Sequence, residues 1–331
     1  MTTPAFSIII PAFNCAHYLE ACLRSIIKSV QDNDEVIIVD DGSQDGTGAI
    51  CDAFALENPR VKSFHTNHIG VAAARNFGIE KATRDYLIFV DSDDAWASSF
   101  HLNDLRIFIS EQNCDLWVFG YYIRNRQKDN PIPAPFWVTY DWRKDQNIFL
   151  PFFQNGMMFP CWNKVFKRAI LSAFSIRFKL QQMEDFQFVL DYLTQIHAVS
   201  FLPIMPYIYI KREEGTSLTE GLQPSILDGT TACHQQLLFL FNSEFDLTIH
   251  RIMAPQYIGA VNKCLRNKDK SLAGTVLNCI QKNRWAQLSL CAYRPVSLSD
   301  HLSNYLIRHG YFGALSRYRK TVTAIKWMLG K

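Results

Sequence analysis

The chain has 331 residues, of which 48% are hydrophobic and 20% are charged, and its formal net charge is +3. This length allows one large domain with an accessory region, or two domains, and the composition is that of a folded globular protein. The small net charge does not favour a nucleic-acid partner, and we expect none.

Short apolar runs alternate with amphipathic stretches in the first part of the chain. The runs are rich in β-branched and aromatic residues and end at turn residues, so we predict buried strands there and helices between them. This alternation predicts right-handed crossovers and an α/β fold, Rossmann-like, with a mostly parallel sheet and helices on both faces. The predicted strands are 6–10, 35–39, 61–64, 86–90 and 116–119, and the predicted helices are 17–30, 45–57 and 71–81.

The middle of the chain is less regular, and its end is helical in pattern. Three prolines, Pro131, Pro133 and Pro135, predict a long loop over the site. We expect a first domain at 1–215 and a helical C-terminal region at 216–331. The elements predicted between them are a loop at 124–154, helices at 164–173 and 184–195, and strands at 199–202 and 207–210.

Polar residues follow three of the predicted strands. The first strand is followed by Pro11 to Asn14, the second by Asp40 to Ser43, and the fourth by Asp91 to Asp94. In a parallel sheet ligands bind beyond the carboxyl ends of the strands. These residues are therefore expected to form one site.

The Asp91-Ser-Asp93-Asp94 run is the most informative motif. Residues two apart on an extended backbone point to the same side, so Asp91 and Asp93 are predicted to present two carboxylates to one divalent cation. The alternative is that Asp93 or Asp94 caps a helix that begins near Ser98. The other acidic strand ends favour the metal site.

Three further motifs each allow a functional and a structural interpretation. One carboxylate of Asp40-Asp41 can accept from a nucleobase imide or a ribose hydroxyl, or the run can be a plain turn before a helix. Arg75 and Asn76 can donate to a phosphate or to carboxylates, or Arg75 can serve only in packing. The pair Glu184-Asp185 can supply a general base, or merely favour the dipole of its helix.

The order and spacing of these motifs resemble the family 2 glycosyltransferases, which have the GT-A fold. The likeness covers about residues 6–210. The run Trp162 to Arg168 is also similar to one found in the bacterial polysaccharide branch of that family. The motifs that carry the likeness are Ser7–Asn14, Val39–Ser43, Gly70–Asn76, Val90–Asp94 and Met183–Asp185.

The resemblance implies an inverting transfer of one sugar from a nucleotide diphosphate sugar, most often a UDP-sugar, to a hydroxyl of a glycan or lipid-linked acceptor. Its setting would be surface polysaccharide or lipopolysaccharide synthesis. Mg²⁺ or Mn²⁺ is expected at Asp91 and Asp93, Asp185 is expected to be the catalytic base, and Asp40 or Asp41 is expected to read the nucleobase. The implied donor-binding residues are Pro11, Phe13, Asn14, Asp40, Asp41, Arg75, Asn76, Asp91, Ser92 and Glu184.

Two other functions remain open from the sequence. A nucleotidyltransferase on a related sheet would show a Gly-rich, basic loop after the first strand, where this chain has Pro11 to Asn14. A sugar-nucleotide-binding protein without turnover would not need every acidic motif. Both alternatives are less favoured than the transferase.

The C-terminal segment 305–331 is basic and aromatic and contains no Asp or Glu. Such a segment can lie on an anionic membrane surface, or it can pack on the protein through its apolar side. No run reaches the roughly 18 apolar residues of a spanning helix, and no signal-peptide pattern precedes the first strand. We therefore expect a cytoplasmic protein, peripheral at the inner face of the plasma membrane.

Overall fold

The computed structural model describes residues 3–126, 128–134, 138–180, 182–212, 226–266, 270–294 and 298–310. The chain divides into two compact units, Met1–Leu218 and Thr219–Lys331. The domain boundary predicted between 215 and 216 falls within 213–225, outside the described residues.

The first unit is built on one mixed, mostly parallel sheet. Its strands, among the described residues, are β1 (Phe6–Ala12), β2 (Glu35–Asp40), β3 (Val61–His65), β4 (Tyr86–Phe89), β5 (Ala95–Trp96), β6 (Leu116–Asn125), β7 (Lys128–Ile132), β8 (Val138–Asp141), β9 (Lys164–Lys167) and β10 (Ala198–Lys211). The order is β3-β2-β1-β4-β9-β6-β10-β5, with β7 beside β6 and β8 beside β10. The first four are parallel, as are β6 and β10, whereas β9 runs antiparallel between β4 and β6.

Helices cover both faces of this sheet, as predicted. Ile8 and Ile10 on β1 pack in one cluster with Leu19 of the first helix. Ile9 points to the opposite face, which the helix over Val71–Lys81 covers. A Cβ on Gly78 of that helix would lie 2.4 Å from Ile9 Cγ2, so only glycine lets the helix approach the sheet so closely. The helices of this unit are α1 (Ala16–Ile27), α2 (Thr47–Glu57), α3 (Val71–Lys81), α4 (Leu102–Glu111), α5 (Gln146–Gln154), α6 (Arg168–Ala173) and α7 (Glu184–Leu193).

Residues 124–154 are not the irregular loop that we predicted. They contain the end of β6, the strands β7 and β8, and helix α5. Strands β6 and β7 form a hairpin that is closed by an ion pair from Arg124 Nε to Asp129 Oδ1 (2.6 Å). Pro131 lies on β7, which pairs only with β6 in the described part of the sheet, and a strand without a second neighbour tolerates proline.

Two other predicted elements are corrected. The segment predicted as a helix at 164–173 begins with strand β9, whose Val165 and Phe166 are buried between β4 and β6. The two strands predicted at 199–202 and 207–210 are one strand, β10. Its register shifts between Leu202 and Tyr207, where proline cannot supply a ladder hydrogen bond.

Buried Glu35 fastens the start of β2 to its neighbours. Its carboxylate accepts from Ser7 Oγ (2.7 Å), Lys62 Nζ (2.6 Å) and the Thr83 N–H (2.6 Å). Burial alone would raise the pKa of Glu35, but these donors lower it from 4.5 to about 2.

The second unit is helical, as predicted. Its elements are α8 (Ile226–Leu240), a 3₁₀ turn (Ser243–Phe245), α9 (Asp246–Arg266), α10 (Lys270–Lys282), α11 (Arg284–Ala292) and α12 (Leu298–Arg308). Within the described ranges, no helix has both the length and the apolar character needed to cross a bilayer. Most of the predicted membrane-binding segment 305–331 lies outside the described residues, which end at 310.

A chain of polar side chains lies inside this helical unit. His234 on α8 is buried, with Nε2 3.0 Å from His250 Nδ1 and Nδ1 3.2 Å from Tyr257 Oη on α9. Thr231 extends this hydrogen-bonded network to Asn283, because Asn283 Nδ2 donates to Thr231 Oγ1 (2.8 Å). Burial, and then the neighbouring His250, lowers the pKa of His234 to about 3.

We expect Glu35→Gln to destabilise the first unit at pH 7 by about 1–3 kcal/mol, because the variant loses the ion pair between the buried Glu35 carboxylate and the partly exposed Lys62. The pKa of Glu35 is lower in the folded protein than in the unfolded one. This stabilisation is therefore present above pH 4.5 and disappears as the pH falls towards 2. Urea unfolding followed by circular dichroism measures the difference. Glu20→Gln removes an exposed pair with Arg24 and should cost under about 0.5 kcal/mol. Equal effects of the two changes would contradict the assignment.

We expect the second unit to lose stability on acidification below pH 6.5. The folded pKa of His234 is depressed to about 3, so the neutral ring favours folding and this contribution is lost as the pH falls from 6.5 towards 3. Where the unfolded state binds one proton more than the folded state, the free energy of unfolding falls by about 1.4 kcal/mol for each unit that the pH is lowered. Hydrogen exchange of α8 and α9 peptides, corrected for intrinsic rates, measures the opening free energy at pH 7 and pH 5. His234→Gln should flatten this dependence, and a pH-independent wild type would rule out the explanation.

Candidate active site

The residues predicted to act together lie on neighbouring strand ends. Strand β1 ends at Ala12, β2 at Asp40 and β4 at Phe89, and the three strands are adjacent and parallel. The Asp41 N–H donates to the Ala12 carbonyl (2.8 Å), which joins two of the loops. The loops that follow these strands therefore meet at one edge of the sheet.

Asp91, Asp93 and Asp94 form an acidic cluster, with one oxygen from each lying within 4.8 Å of the others. We predicted extended backbone here, but the segment is a turn in which the Asp94 N–H donates to the Asp91 carbonyl (3.1 Å). The helix-cap alternative is also wrong, because α4 begins at Leu102 with His101 as its N-cap. Oxygen ligands of this kind suit a hard divalent cation, and in the described part of the chain no other group of three Asp, Glu, His or Cys side chains forms such a cluster.

Asp94 ties the acidic cluster to β10. It accepts from Tyr207 Oη (2.7 Å) and from the Ile210 N–H (2.8 Å), and Tyr207 Oη in turn accepts from the Asp91 N–H (3.1 Å). Burial, and then the charge of Asp91, raises the pKa of Asp94 to about 8. Asp91 and Asp93 are therefore the members of the cluster with oxygens left for a ligand.

The buried guanidinium of Arg75 joins this cluster to a second pair of acids. Its Nη2 lies 2.8 Å from Asp91, and its Nη1 lies 2.7 Å from Asp185 and 3.1 Å from Glu184. Burial alone would lower the pKa of Arg75, but the carboxylates, Asp185 first among them, raise it well above its usual value. Burial raises the pKa of Asp91 and of Glu184, and Arg75 opposes that rise.

Asp185 stands in the first turn of α7, where the carboxylate faces the loop before β9. The Cys161 N–H donates to Asp185 Oδ2 (3.3 Å). That loop is held by Lys164, which is buried and donates to the carbonyls of Met157 (2.9 Å) and Pro160 (2.6 Å). Burial lowers the pKa of Lys164 to about 7. The loop and α7 thus fix Asp185 from two directions.

The two aspartates after β2 differ in their surroundings. Asp41 accepts from Thr66 Oγ1 (2.7 Å) and from the backbone of Ile69 (2.6 Å) and Gly70 (2.8 Å), so it holds the loop between β3 and α3. Asp40 accepts from the Ser43 N–H (3.2 Å) and lies 2.9 Å from His65 Nδ1. The first turn of α2 covers it, since a Cβ on Gly48 would lie 2.9 Å from Asp40 Oδ2.

Phe13 is a half-buried ring beside Asp41. The imidazole of His68 stacks on it, with the ring centroids 4.2 Å apart and the planes 24° from parallel. His68 Nδ1 also lies 3.4 Å from Asp41 Oδ2. The imidazole of His68 therefore contacts both the ring of Phe13 and the carboxylate of Asp41.

The remaining predicted donor-binding residues have defined places. Pro11 is buried in β1, and Ser92 is buried in the turn of the acidic cluster. Asn14 accepts from the Gln44 N–H (2.8 Å) and its own N–H donates to Ser43 Oγ (2.9 Å). Asn76 binds the backbone of Phe178 through both ends of its amide (2.8 and 2.9 Å). Donor binding by these four residues stays a prediction.

Arg212 and Tyr207 belong to this site but were not predicted from the sequence. Arg212 follows β10, pairs with Asp93, and lies over the ring of Tyr18 at 3.8 Å. Its contact with Asp93 follows from the pairing of β10 with β5, in which Tyr207 lies opposite Trp96. In the local sequence, the one feature that could have indicated a role for Arg212 is its position as a basic residue directly after a strand.

We expected the chain to lack the Gln-x-x-Arg-Trp signature of processive family 2 polymerases, but this is wrong, because the run Gln281-Lys-Asn-Arg-Trp285 has that spacing. In the structure it forms the junction of α10 and α11. Asn283 is the N-cap of α11, and its Oδ1 accepts from the Ala286 N–H (3.0 Å). This gives the run a local role in joining two helices.

Comparison with known proteins agrees with this arrangement. The family model described as glycosyl transferase family 2 matches residues 7–174, about half of the chain. The crystal structure of S. aureus TarS 1-349 in complex with UDP-GlcNAc superposes with a TM-score of 0.65 over 98% of this chain and 92% of that chain, at 20% identity. That likeness shows the fold, and the predicted GT-A fold with a helical C-terminal region is confirmed.

Two relatives extend the match beyond the family model. EpsH of Bacillus subtilis strain 168 is 27% identical over 241 residues, which are 71% of this chain and 68% of EpsH. A cholesterol galactosyltransferase of Borreliella burgdorferi is 25% identical over 225 residues, 65% of this chain and 62% of that protein. With the family model and the fold in agreement, the chain belongs to glycosyl transferase family 2, and it is a glycosyltransferase.

Proposed function

We propose that this glycosyltransferase moves one sugar in each reaction from a UDP-sugar to a hydroxyl of a glycan or lipid-linked acceptor, with inversion at the anomeric carbon. The observation that carries the proposal is the guanidinium of Arg75, which lies within 3.1 Å of Asp91, Glu184 and Asp185. A carboxylate suited to metal binding and a carboxylate suited to general-base work thus share one counter-ion. The carboxylate for the metal of the donor and the carboxylate for the acceptor hydroxyl therefore lie beside the same arginine.

The charge balance of the site supports a divalent cation. Even with Asp94 counted as neutral because of its raised pKa, four carboxylates face two guanidinium groups. They are Asp91, Asp93, Glu184 and Asp185 against Arg75 and Arg212. Asp91 and Asp93 would hold Mg²⁺ or Mn²⁺, since Asp94 is already committed to β10. When bound, such an ion neutralises charge that develops on the departing diphosphate.

The two arginines would assist the diphosphate from the protein side. Each pairs with an aspartate of the acidic cluster, Arg75 with Asp91 and Arg212 with Asp93. A guanidinium can exchange a carboxylate for a phosphate, because both accept the same paired N–H donors. In the proposed reaction both side chains would therefore bind the diphosphate of the donor.

Asp185 is the proposed base. It lies at the start of α7, is partly exposed, and keeps the Cys161 N–H and Arg75 as its partners. Its carboxylate would take the proton of the acceptor hydroxyl while the acceptor oxygen forms a bond to the anomeric carbon. The bond from that carbon to the phosphate oxygen breaks at the same time, and the electron pair leaves with UDP. One displacement of this kind inverts the anomeric centre.

The choice of UDP and of the biological setting is argued from likeness. A neighbour of the same fold was crystallised with UDP-GlcNAc, and one relative carries a lipid acceptor, cholesterol, in its name. The Trp162–Arg168 run is similar to that of the bacterial polysaccharide branch. We therefore place the enzyme in surface polysaccharide or lipopolysaccharide synthesis, at the cytoplasmic side of the membrane. Residues 216–331 would contribute acceptor or membrane contacts.

Asp93→Ala should abolish metal-dependent UDP binding, because the change removes one of two carboxylates available to the cation. Calorimetric titration of UDP with and without Mn²⁺ measures this directly. The wild type should bind at least about tenfold more tightly with Mn²⁺ than without it, a gain of about 1.4 kcal/mol. Asp32→Ala, at a fully exposed carboxylate paired with Arg60, is the matched control and should bind as the wild type does. Unchanged metal-dependent affinity in Asp93→Ala would remove Asp93 from the site.

Asp185→Asn should keep UDP affinity within about threefold and lower the transfer rate by at least about a hundredfold, the usual contribution of a general base. Initial rates with a radiolabelled UDP-sugar and a lipid-linked acceptor test this. Asp191→Asn, on the same helix and bonded to Lys179, serves as the control for loss of a helical carboxylate. Near-normal turnover of Asp185→Asn would show that another group takes the proton.

A further inference from the structure

His68 makes two contacts that a nucleobase would also make. Its ring stacks on Phe13 at 4.2 Å, and its Nδ1 lies 3.4 Å from the carboxylate of Asp41. Phe13 and Asp41 are two of the donor-binding residues that the resemblance to the family 2 glycosyltransferases implies. A uracil or guanine ring would likewise offer a flat face to Phe13 and an imide N–H to Asp41.

Three hydrogen bonds to Asp41 hold the loop that carries His68, and none of them involves the imidazole. Asp41 accepts from Thr66 Oγ1 and from the backbone N–H groups of Ile69 and Gly70. Beneath the loop, a Cβ on Gly42 would lie 2.9 Å from the main-chain nitrogen of His68, so the backbone is closely packed there. The imidazole can therefore rotate away while the loop keeps its position.

The side chain of His68 is also accessible, since 63% of its surface is exposed. Its φ of 51° lies in the left-handed region, where histidine is one of the more frequent residues. An exposed ring on a closely held backbone has room to turn into solvent. Side-chain rotation of this kind is fast on the time scale of ligand binding.

We propose that His68 occupies the nucleobase position of the free enzyme and that the donor's base takes its place on Phe13 and beside Asp41. This inference rests on the proposed function, because it needs a nucleotide to bind there. A competing side chain lowers the fraction of protein ready to bind and raises the apparent Kd of every nucleotide by one common factor. A residue that touches the bound base would instead change each Kd by a different factor.

Removing the imidazole should therefore tighten nucleotide binding. We expect His68→Ala to bind UDP and GDP, each with Mn²⁺ present, about three- to tenfold more tightly than the wild type, which is the size expected for one stacked ring pair with an added polar contact. The factor should be the same for both nucleotides. Isothermal titration calorimetry gives the two ratios. His68→Gly, which suits the left-handed backbone better, should give the same result if alanine strains the loop.

His197→Ala is the matched control, because it removes another exposed imidazole that faces an aspartate, Asp141, elsewhere in the first unit. Its UDP affinity should equal that of the wild type. Unchanged or weaker binding by both His68 variants, with melting temperatures near the wild-type value, would overturn the inference, and so would unequal factors for UDP and GDP. If no folded variant and no wild-type protein binds any nucleoside diphosphate, the proposed function falls as well.

The ring itself can be observed by proton NMR. In the free protein the Cε1–H of His68, assigned by its loss in His68→Ala, should be shifted upfield by the ring current of Phe13. Saturation with UDP should move it to the position of a solvent-exposed histidine. A resonance that stays shifted upfield in the UDP complex would show that His68 does not leave, and would refute the exchange.

Discussion

A buried positive charge determines how the first unit can be assembled. The guanidinium of Arg75 cannot be removed from water without negative partners, and its partners come from elements far apart in the sequence. Asp91 follows β4, while Glu184 and Asp185 begin α7. Because each of these carboxyl groups is also partly buried, the arginine and the acids depend on one another. Helix α3, the turn after β4 and α7 must therefore fold together for any of them to be satisfied.

Strand β10 provides the second constraint. Tyr207 and the backbone of Ile210 bind Asp94, and Arg212 just beyond the strand pairs with Asp93. The register shift after Leu202 sets which residues of β10 face the turn. Two aspartates of the cluster are thus anchored to a strand that lies more than a hundred residues later in the chain. The acidic turn has its geometry only after the sheet is complete.

The parts of this fold that sequence patterns could predict are those specified locally. Strands β1 to β4 are short apolar runs between helical patterns, and their alternation is enough to indicate parallel order. Strand β9 escaped prediction because a run of four residues beside a helical pattern cannot be distinguished from a helix by periodicity. Pro131 predicts a loop, but it lies on β7, and on the unpaired side of such a strand no ladder hydrogen bond needs the missing N–H. Arg212 and Tyr207 join the site through strand pairing, which local sequence does not reveal.

The loop from Thr66 to Gly70 is anchored to Asp41 mainly by main-chain amides, which every residue type except proline possesses. Apart from Thr66, whose hydroxyl also donates to Asp41, its side chains are therefore not needed to keep its shape. A single codon change at position 68 could place a different group against Phe13 without disturbing the strands on either side. A scaffold of this kind can acquire new ligand preferences in small evolutionary steps, because the part that selects and the part that supports are chemically separate.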